Sequence, residues 1–526
     1  MAQPHASSVA PAPPEPAPGA QRALALVGPS DHAALVGRRL HMVGVGGCGM
    51  SGLARLLRAR GAVVTGDDMT ETTVLDALRA DGFQIRAGDH ADIPEGAEAM
   101  VVSAAVKPDH PLVQSARAAG VPVLTYAEML GACMAASTGV AVAGTHGKST
   151  TAAMLGYTLA RCGLDPTVIV GANSAQLAGA SEGGDASAPG GASTGFRLGS
   201  AETPIGAFAG RPGVLIAEAC EFNRSFHNFR PTIGSISAVE ADHLDIYGSL
   251  DAVVEAFAGF ARLLPPAEEG GFLLIAHDGA HRREVCAGLR CRVETIGFSP
   301  AADWRVEFDA PSRRVLLSRA GVPQCAWLMQ IPGEHNAMNS AVACALAIGL
   351  GADPAGAAEA LGDFRGVERR CECLGDVPVA GGSVRVYDDY GHHPTEIDCT
   401  LRALREHERP QDRGGRLVCV FQPHQHSRTR FLLEEFAQSF TQADIVIVPH
   451  IYFVRDSEIE KTKVSAADLV DRLRARGVRA MHLYPFDAIV DQLRDVCRPN
   501  DLVVVMGAGP VWKVAHAYMG RRASAD

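Results

Sequence analysis

With 526 residues, 47% of them hydrophobic and 20% charged, the chain is long enough for three or four globular cores. Its net charge of -11 argues against a protein that grips a nucleic-acid backbone, and no apolar stretch reaches the length of a membrane span. The 13 cysteines include no CxxC pair and fall in apolar runs such as Leu417 to Phe421, so they read as reduced thiols of a cytoplasmic protein.

Residues 1–36 are rich in Pro and Ala and lack the basic start and apolar block of a secretory signal; they are expected to form a disordered tail. Leu40 to Val45 then reads as a strand, followed by a glycine cluster and a helix over Met50 to Arg60. Further strands are expected at Ala62 to Thr65 and Ala99 to Ser103, and this first unit, 37–137, ends near Ser137. A strand at Val140 to Ala143 and a second glycine loop open a unit taken as 138–330. Within it, the Gly/Ala/Ser-rich stretch Ala178 to Thr203 reads as a flexible surface loop. Ile331-Pro332-Gly333 reads as a hinge, and a third unit, 331–526, begins with a helix at His335 to Gly349. Its strands are expected near Ser383 to Tyr387, Arg416 to Phe421, Asp444 to Val448 and Asp501 to Met506. Alternating strands and helices in each unit predict an α/β chain of three αβ domains in tandem.

The strongest local motif is Gly144-Thr145-His146-Gly147-Lys148-Ser149-Thr150-Thr151, between an apolar strand and a helix-forming run. Glycines let backbone N–H groups turn around a phosphate, the helix N-terminus adds positive potential, Lys148 can neutralise a transferring phosphate, and the Ser149 hydroxyl can ligate Mg²⁺. The strand Val214 to Ala217 runs into Glu218-Ala219-Cys220-Glu221, and a later apolar run precedes Glu240-Ala241-Asp242-His243-Leu244-Asp245. Carboxylates at the C-terminal ends of parallel strands sit where such sheets bind ligands, and Glu218 is the hard oxygen donor that Mg²⁺ requires. His243 suits a second divalent ion or the orienting of a water. A phosphate cradle, a cation and carboxylates to hold it are what phosphoryl transfer needs.

Two other clusters are ambiguous taken alone. Gly44, Gly46 and Gly49 fit GxGxxG, with Asp67 at about the spacing of a ribose-binding acid. That pattern describes a nicotinamide dehydrogenase, and equally a site where a UDP pyrophosphate approaches the backbone. Asp388 to Glu396 and Gln422 to Arg430 each follow a strand and bring His392, His393, His424 and His426 to one rim, readable as anion recognition, as plain surface histidines or as zinc ligands.

Taken together the motifs resemble the Mur ligases of bacterial peptidoglycan synthesis. The resemblance runs from Gly37 to about Arg521 and rests on VGVGGCGMSGLA at 43–54, AGTHGKSTT at 143–151, AEACE at 217–221, EADHLD at 240–245, GEHNAMN at 333–339, DDYGHHPTE at 388–396, FQPHQHSRTR at 421–430 and MGAGPVWKVA at 506–515. It implies a Rossmann-like UDP-binding domain, a P-loop ATPase domain and a Rossmann-like C-terminal domain. Within the family the motifs are most similar to the branch that joins L-alanine to UDP-N-acetylmuramate at the expense of ATP. That branch implies ATP and Mg²⁺, a carboxylate activated as an acyl phosphate, no nucleic-acid partner, no membrane insertion, and a monomer or homodimer. Gly46, Gly47, Gly49, Met50, Ser51 and Asp67 would hold the UDP moiety. Gly144, Thr145, His146, Gly147, Lys148, Ser149 and Thr150 would hold the ATP phosphates. Ser149 and Glu218 would ligate one Mg²⁺, and Glu218 and His243 would serve a second. His335, Asn336 and Asn339 would frame the adenine, Arg370 would reach the phosphates, and Asp389 the ribose. His393, His424 and Arg428 would bind the muramyl carboxylate and the amino acid.

Departures from the family pattern fall at Ala238, at Cys220-Glu221 and at Gln425-His426, where Arg and Tyr are common. Relatives that recycle a tripeptide share most of these motifs, and a nucleotide-binding sensor without catalysis would keep the loop while losing the metal ligands. Sister branches carbamylate a lysine of the central domain. Here the lysines are Lys107, Lys148, Lys461, Lys463 and Lys513, with none between Lys148 and Lys461.

Overall fold

The structure, a computed structural model, describes residues 18–28, 32–179, 194–454 and 456–521. The first domain is a five-stranded parallel sheet of β1 (Arg39–Val43), β2 (Val63–Asp68), β3 (Gln84–Ala87), β4 (Ala99–Val102) and β5 (Val123–Thr125), in the order β3-β2-β1-β4-β5. The glycine turn after β1 opens the helix Cys48–Ala59. Its apolar face buries Leu53, Leu56 and Leu57, at helical spacing, against the sheet.

The expected tail is corrected over part of its length; residues 1–17 and 29–31 lie outside the described residues. Pro18–Val27 is a helix that packs on the helix Tyr126–Ala135. Alanine is the strongest helix former, and Ala20, Ala23 and Val27 fall on one buried face, so a composition read as low complexity is here an amphipathic turn pattern.

The second domain is a ten-stranded sheet containing β6 (Thr138–Ala143), β7 (Thr167–Ser174), β8 (Thr194–Arg197), β9 (Val214–Glu218), β10 (Ile233–Ile236), β11 (Phe272–Ala276), β12 (Arg292–Gly297), β13 (Trp304–Asp309), β14 (Arg314–Arg319) and β15 (Val322–Leu328). The order is β15-β14-β13-β12-β11-β10-β6-β9-β7-β8. Pairing is parallel except for β13 with β14, β14 with β15, and β7 with β8. The stretch expected as a loop over Ala178 to Thr203 therefore contains strand β8, which closes the edge of the sheet; residues 180–193 lie outside the described residues.

The boundary expected at Ile331 is also displaced. The helices Glu334–Leu350 and Pro354–Asp363 pack beside the helix Lys148–Arg161, and one core joins Val140, Val142 and Leu155 to Ala341, Leu346, Leu361 and Val367. Small residues along Glu334–Leu350 (Ala337, Ala341, Ala345) let two helices lie close over the sheet. The chain leaves this core at Val367 and turns through Arg369 and Cys371, both with positive φ. The third domain follows as β16 (Glu372–Val379), β17 (Gly382–Asp389), β18 (Leu417–Phe421), β19 (Ile445–Val448), β20 (Arg479–His482) and β21 (Leu502–Met506), ordered β16-β17-β21-β18-β19-β20 with only β16 antiparallel. The ends of β6, β9, β17 and β18 turn toward a common cleft, because the motifs that follow them line it or bond across it. Among the described residues no helix is long and apolar enough to cross a membrane.

Candidate active site

The cleft has a volume of about 380 Å³ and takes lining from all three domains: Cys48 from the first, Lys148, Ser149, Glu218 and His243 from the second, Arg370, Tyr390 and His392 from the third. The loop after β6 has glycine where only glycine fits. Gly144 has φ +129°, and a Cβ there would stand 2.1 Å from Ser237 Oγ; Gly147 has φ +79°, and its Cβ would stand 2.3 Å from Asn339 Oδ1. Thr145 N donates to Ala238 O at 2.9 Å, which pins the loop to the segment after β10.

Lys148 begins the following helix and folds back over the loop. Its Nζ donates to Gly144 O at 2.7 Å and Thr145 O at 3.1 Å, and lies 2.9 Å from Glu221 Oε2. Burial works against this ammonium charge, but anionic neighbours led by Glu221 outweigh it and the net shift is upward. Ser149 Oγ donates to Glu218 Oε2 at 2.9 Å, Gly171 N donates to the same oxygen at 3.1 Å, and Arg370 Nη2 reaches Ser149 Oγ at 3.5 Å. Serine hydroxyl and carboxylate are therefore already adjacent, a hard-oxygen pair of the kind that holds Mg²⁺.

His243 is not grouped with that pair. Its ligating nitrogen lies with carboxylate oxygens of Glu221 and Asp242, all within 4.8 Å of one another. Asp242 accepts from Arg428 Nε at 3.0 Å and Nη2 at 2.8 Å. Although burial opposes ionisation, Arg428 holds the Asp242 carboxyl well below the usual range. Burial, reinforced by Arg428 and Lys148, lowers the His243 pKa despite Asp242, which suits a neutral metal-ligating imidazole.

A second cavity, of about 220 Å³, opens on the other side of the loop and is lined by His146, His335, Asn336, Asn339, Arg370 and Asp389 among others. Burial lowers the His335 pKa to about 4, leaving a flat neutral ring. Asn336 Nδ2 donates to Pro332 O at 2.8 Å, and Asn339 Oδ1 accepts from Thr151 Oγ1 at 3.3 Å, so both amides are fixed in orientation. Thr150 lines both cavities. Asp389 is less free than a ribose contact requires: its two oxygens accept from Gly391 N and Cys371 N, each at 2.6 Å, and burial pushes its pKa up to about 6. It braces the turn that carries Arg370, whose guanidinium lies 4.7 Å from the centre of the Tyr390 ring.

The second and third domains are tied across the cleft. His146 Nδ1 is 3.2 Å from Glu396 Oε1 and its Nε2 is 3.3 Å from Glu240 Oε2; Thr395 Oγ1 donates to Glu240 Oε2 at 2.7 Å. Burial would lower the His146 pKa, but the two carboxylates outweigh it and raise it to about 9, so His146 is an imidazolium between two anions. His393 caps the helix Pro394–Glu408, accepting from Thr395 N at 3.3 Å, and its Nε2 lies 3.4 Å from Ala241 O. Arg428 Nη1 is 3.3 Å from His424 Nδ1. Arg428 pairs with Asp242 and so ties the two domains. The four rim histidines do not converge on one point, since His426 turns toward Asp456, 3.9 Å away.

In the first domain the expected ribose acid is also already paired. Asp67 accepts from Arg86 Nε at 2.8 Å and Nη2 at 2.6 Å, lies 3.4 Å from His41 Nε2, and is 3% exposed. Its neighbour Asp68 takes the glycine turn instead, accepting from Gly46 N at 2.8 Å. Gly49, Met50 and Ser51 lie in the first turn of the helix that Gly47 caps, and Met50 and Ser51 are buried. Sequence reasoning passed over Glu221, Glu240 and Glu396 as site residues. Glu221 sits in the same AEACE motif as Glu218, whereas nothing local links Glu396 to His146, 250 positions away.

Three family profiles cover the chain: Mur ligase family, catalytic domain, over 39–138; Mur ligase middle domain over 142–347; and Mur ligase, glutamate ligase domain, over 369–509. The chain is similar to the UDP-N-acetylmuramate–L-alanine ligases of Kineococcus radiotolerans (38% identical, covering 90% of this chain and 94% of the relative) and Caldanaerobacter subterraneus subsp. tengcongensis (34%, 92% and 97%). Among solved structures it resembles the UDP-N-acetylmuramate–alanine ligase of Thermotoga maritima, with TM-score 0.70 and 25% identity over 92% of this chain and 98% of that one. With its three domains, phosphate loop and shared cleft all accounted for, the chain belongs to the Mur ligase family.

Proposed function

We propose that this chain is the cytoplasmic ATP-dependent ligase that joins L-alanine to UDP-N-acetylmuramate, through an acyl phosphate and with release of ADP and phosphate, in peptidoglycan-precursor synthesis. The observation that carries this reading is the convergence of Lys148, the Ser149–Glu218 pair and the Glu221–Asp242–His243 group on one cleft reached from all three domains. Near full-length similarity to ligases of that name supports the choice of substrates.

The donor set fits Mg²⁺ at two places, Ser149 with Glu218 and His243 with its acidic neighbours. When bound, Mg²⁺ would neutralise phosphate charge and hold the phosphoryl group in line. The chain's own residues supply the rest. Lys148 Nζ exchanges its two loop carbonyls for phosphate oxygens, and the backbone N–H groups around Gly147 cradle them. Lys148 and Arg370 offset the repulsion between the muramyl carboxylate and the γ-phosphate as the two anions meet. The adenine enters the second cavity against His335 and the fixed amides of Asn336 and Asn339. Ties from His146 to Glu396 and from Arg428 to Asp242 hold the third domain over the cleft, which keeps water from the acyl phosphate until the neutral amine attacks it. The glycine turn of the first domain holds the UDP pyrophosphate, with Asp68 bracing its backbone.

The test is phosphate release from ATP with UDP-N-acetylmuramate fixed and the amine varied. L-Ala is expected to be turned over fastest. Faster turnover of an acidic amino acid or of a tripeptide would overturn the substrate assignment.

A further inference from the structure

One pair of side chains outside the cleft has a chemistry that ligation does not use. Cys325, on the edge strand β15, and Cys344, in the helix Glu334–Leu350, place their sulfurs 3.5 Å apart within hydrogen-bonding distance. Both are free thiols, Cys344 fully buried and Cys325 partly exposed. Cys325 lies on the edge strand of the sheet and is partly exposed, so a small solute reaches it, whereas Cys344 is shielded. A disulfide needs about 2.05 Å between sulfurs, so the two must close by roughly 1.5 Å. Side-chain rotation supplies part of that, and a small approach of β15 and the helix supplies the rest.

We propose that Cys325 and Cys344 form a reversible intramolecular disulfide under peroxide, and that this cross-link weakens ATP binding. The two thiols are unequal partners. The hydrogen bond from Cys344 stabilises the thiolate of Cys325 and lowers its pKa, while the same bond and burial raise Cys344. Cys325, the partly exposed partner that a solute can reach, is the attacking thiolate. It breaks the O–O bond of hydrogen peroxide, becoming a sulfenic acid and releasing hydroxide, which takes up a proton to form water. The Cys344 sulfur then attacks the Cys325 sulfur, the S–O bond breaks, and hydroxide leaves as a second water with the proton Cys344 gives up. Two thiols are oxidised and one peroxide is reduced to two waters. A thiol reductant reverses the modification, as the reducing compartment inferred from the cysteine pattern requires.

The consequence for nucleotide follows from what the helix carries. Asn336 and Asn339 stand in its first turns, and Asn339 is bonded to Thr151 of the phosphate-loop helix. Drawing Cys344 toward β15 pulls the helix against that bond and disturbs the adenine cavity. The UDP-substrate turn lies in another domain and is untouched.

The test uses the full-length enzyme treated with hydrogen peroxide and then alkylated, digested and mapped by mass spectrometry. The expected result is a cross-linked peptide joining residues 325 and 344, a denatured thiol titre lower by two, and a several-fold rise in KM for ATP that dithiothreitol reverses. Affinity for UDP-N-acetylmuramate should stay unchanged. Cys325→Ser, on the partly exposed edge, should lose both the cross-link and the peroxide effect on KM; the wild-type peptide map serves if that variant fails to fold. Cys48, in the cleft itself, is a poor competitor, because burial pushes its thiol up to about 11. Peroxide that oxidises other cysteines while residues 325 and 344 stay reduced would overturn the site. A cross-link with KM for ATP unmoved would overturn its effect. The kinetic half rests on the ligase reading, whereas the mapped cross-link does not, so the two failures are distinguishable.

Discussion

Replacing His146 by Gln should loosen closure of the third domain over the nucleotide. Glu240 belongs to the same domain as His146 and stays beside it when the cleft opens; only the contact with Glu396, 3.2 Å in the closed form, is made by closing. Both His146 and Glu396 are 16% exposed at the side chain, so solvent screens this pair little. A hydrogen bond between charged groups in such a setting contributes about 1.5–3 kcal/mol. Gln keeps the size but not the charge, so the closed-to-open ratio should fall by roughly ten- to a hundred-fold, at 1.36 kcal/mol per decade. The same tie makes closure depend on pH. The closed form raises the His146 pKa to about 9, above its ordinary 6.5, so the proton favours closure. Glu240 stays beside His146 in both forms, so only the part of the rise due to Glu396 favours closure, and that part is lost as pH rises through about 9. Fluorophores on the second and third domains, read by energy transfer with saturating ATP analogue and UDP-N-acetylmuramate, follow closure directly. The wild type should open between pH 7.5 and 10, and His146→Gln should be partly open already at pH 7 with no further transition. A variant that closes as fully as the wild type, or a wild-type profile flat to pH 10, would refute the latch.

Three further outcomes follow from the site. Lys148→Ala should lower the rate of ligation by about 10²–10³-fold, the usual cost of losing one charge-stabilising donor, while calorimetric titration shows UDP-N-acetylmuramate affinity nearly intact. It should also lower Tm, because Glu221, only 2% exposed, loses its cationic partner. Turnover at saturating Mg²⁺ should not respond to bicarbonate in CO₂-depleted buffer, since no lysine between Lys148 and Lys461 is present to be carbamylated; reversible activation would reopen the branch assignment. Gly and L-Ser should be weaker acceptors than L-Ala by about 1–3 kcal/mol in kcat/KM, the discrimination a small pocket achieves, and equal use of all three would show that no such pocket exists.

Much of the site was readable because the chemistry follows local rules. A glycine loop between strand and helix, and carboxylates at strand ends, declare themselves within ten residues, and the structure puts Ser149 within bonding distance of Glu218 and lines the same cleft with Lys148. What was not readable depends on contacts between distant segments. The hinge at Ile331 looked like a boundary because Pro-Gly punctuates a chain, yet the helix after it completes the core of the domain before it. Asp67 has the spacing of a ribose acid, but Arg86 from the neighbouring strand had already claimed it. Nothing near Arg428 in the sequence announced its partner Asp242, 186 positions earlier. In each case the side chain's type was informative and its partner was set by tertiary packing.

The central claim is that the carboxylate is activated by taking the terminal phosphoryl group of ATP in this cleft. UDP-N-acetylmuramate carrying ¹⁸O in its lactyl carboxylate tests it directly. Ligation with L-Ala should deliver one ¹⁸O atom into each inorganic phosphate released and none into AMP, because the oxygen that attacks phosphorus departs with it when the amine displaces phosphate. Phosphate without the label, or label recovered in AMP, would contradict the account.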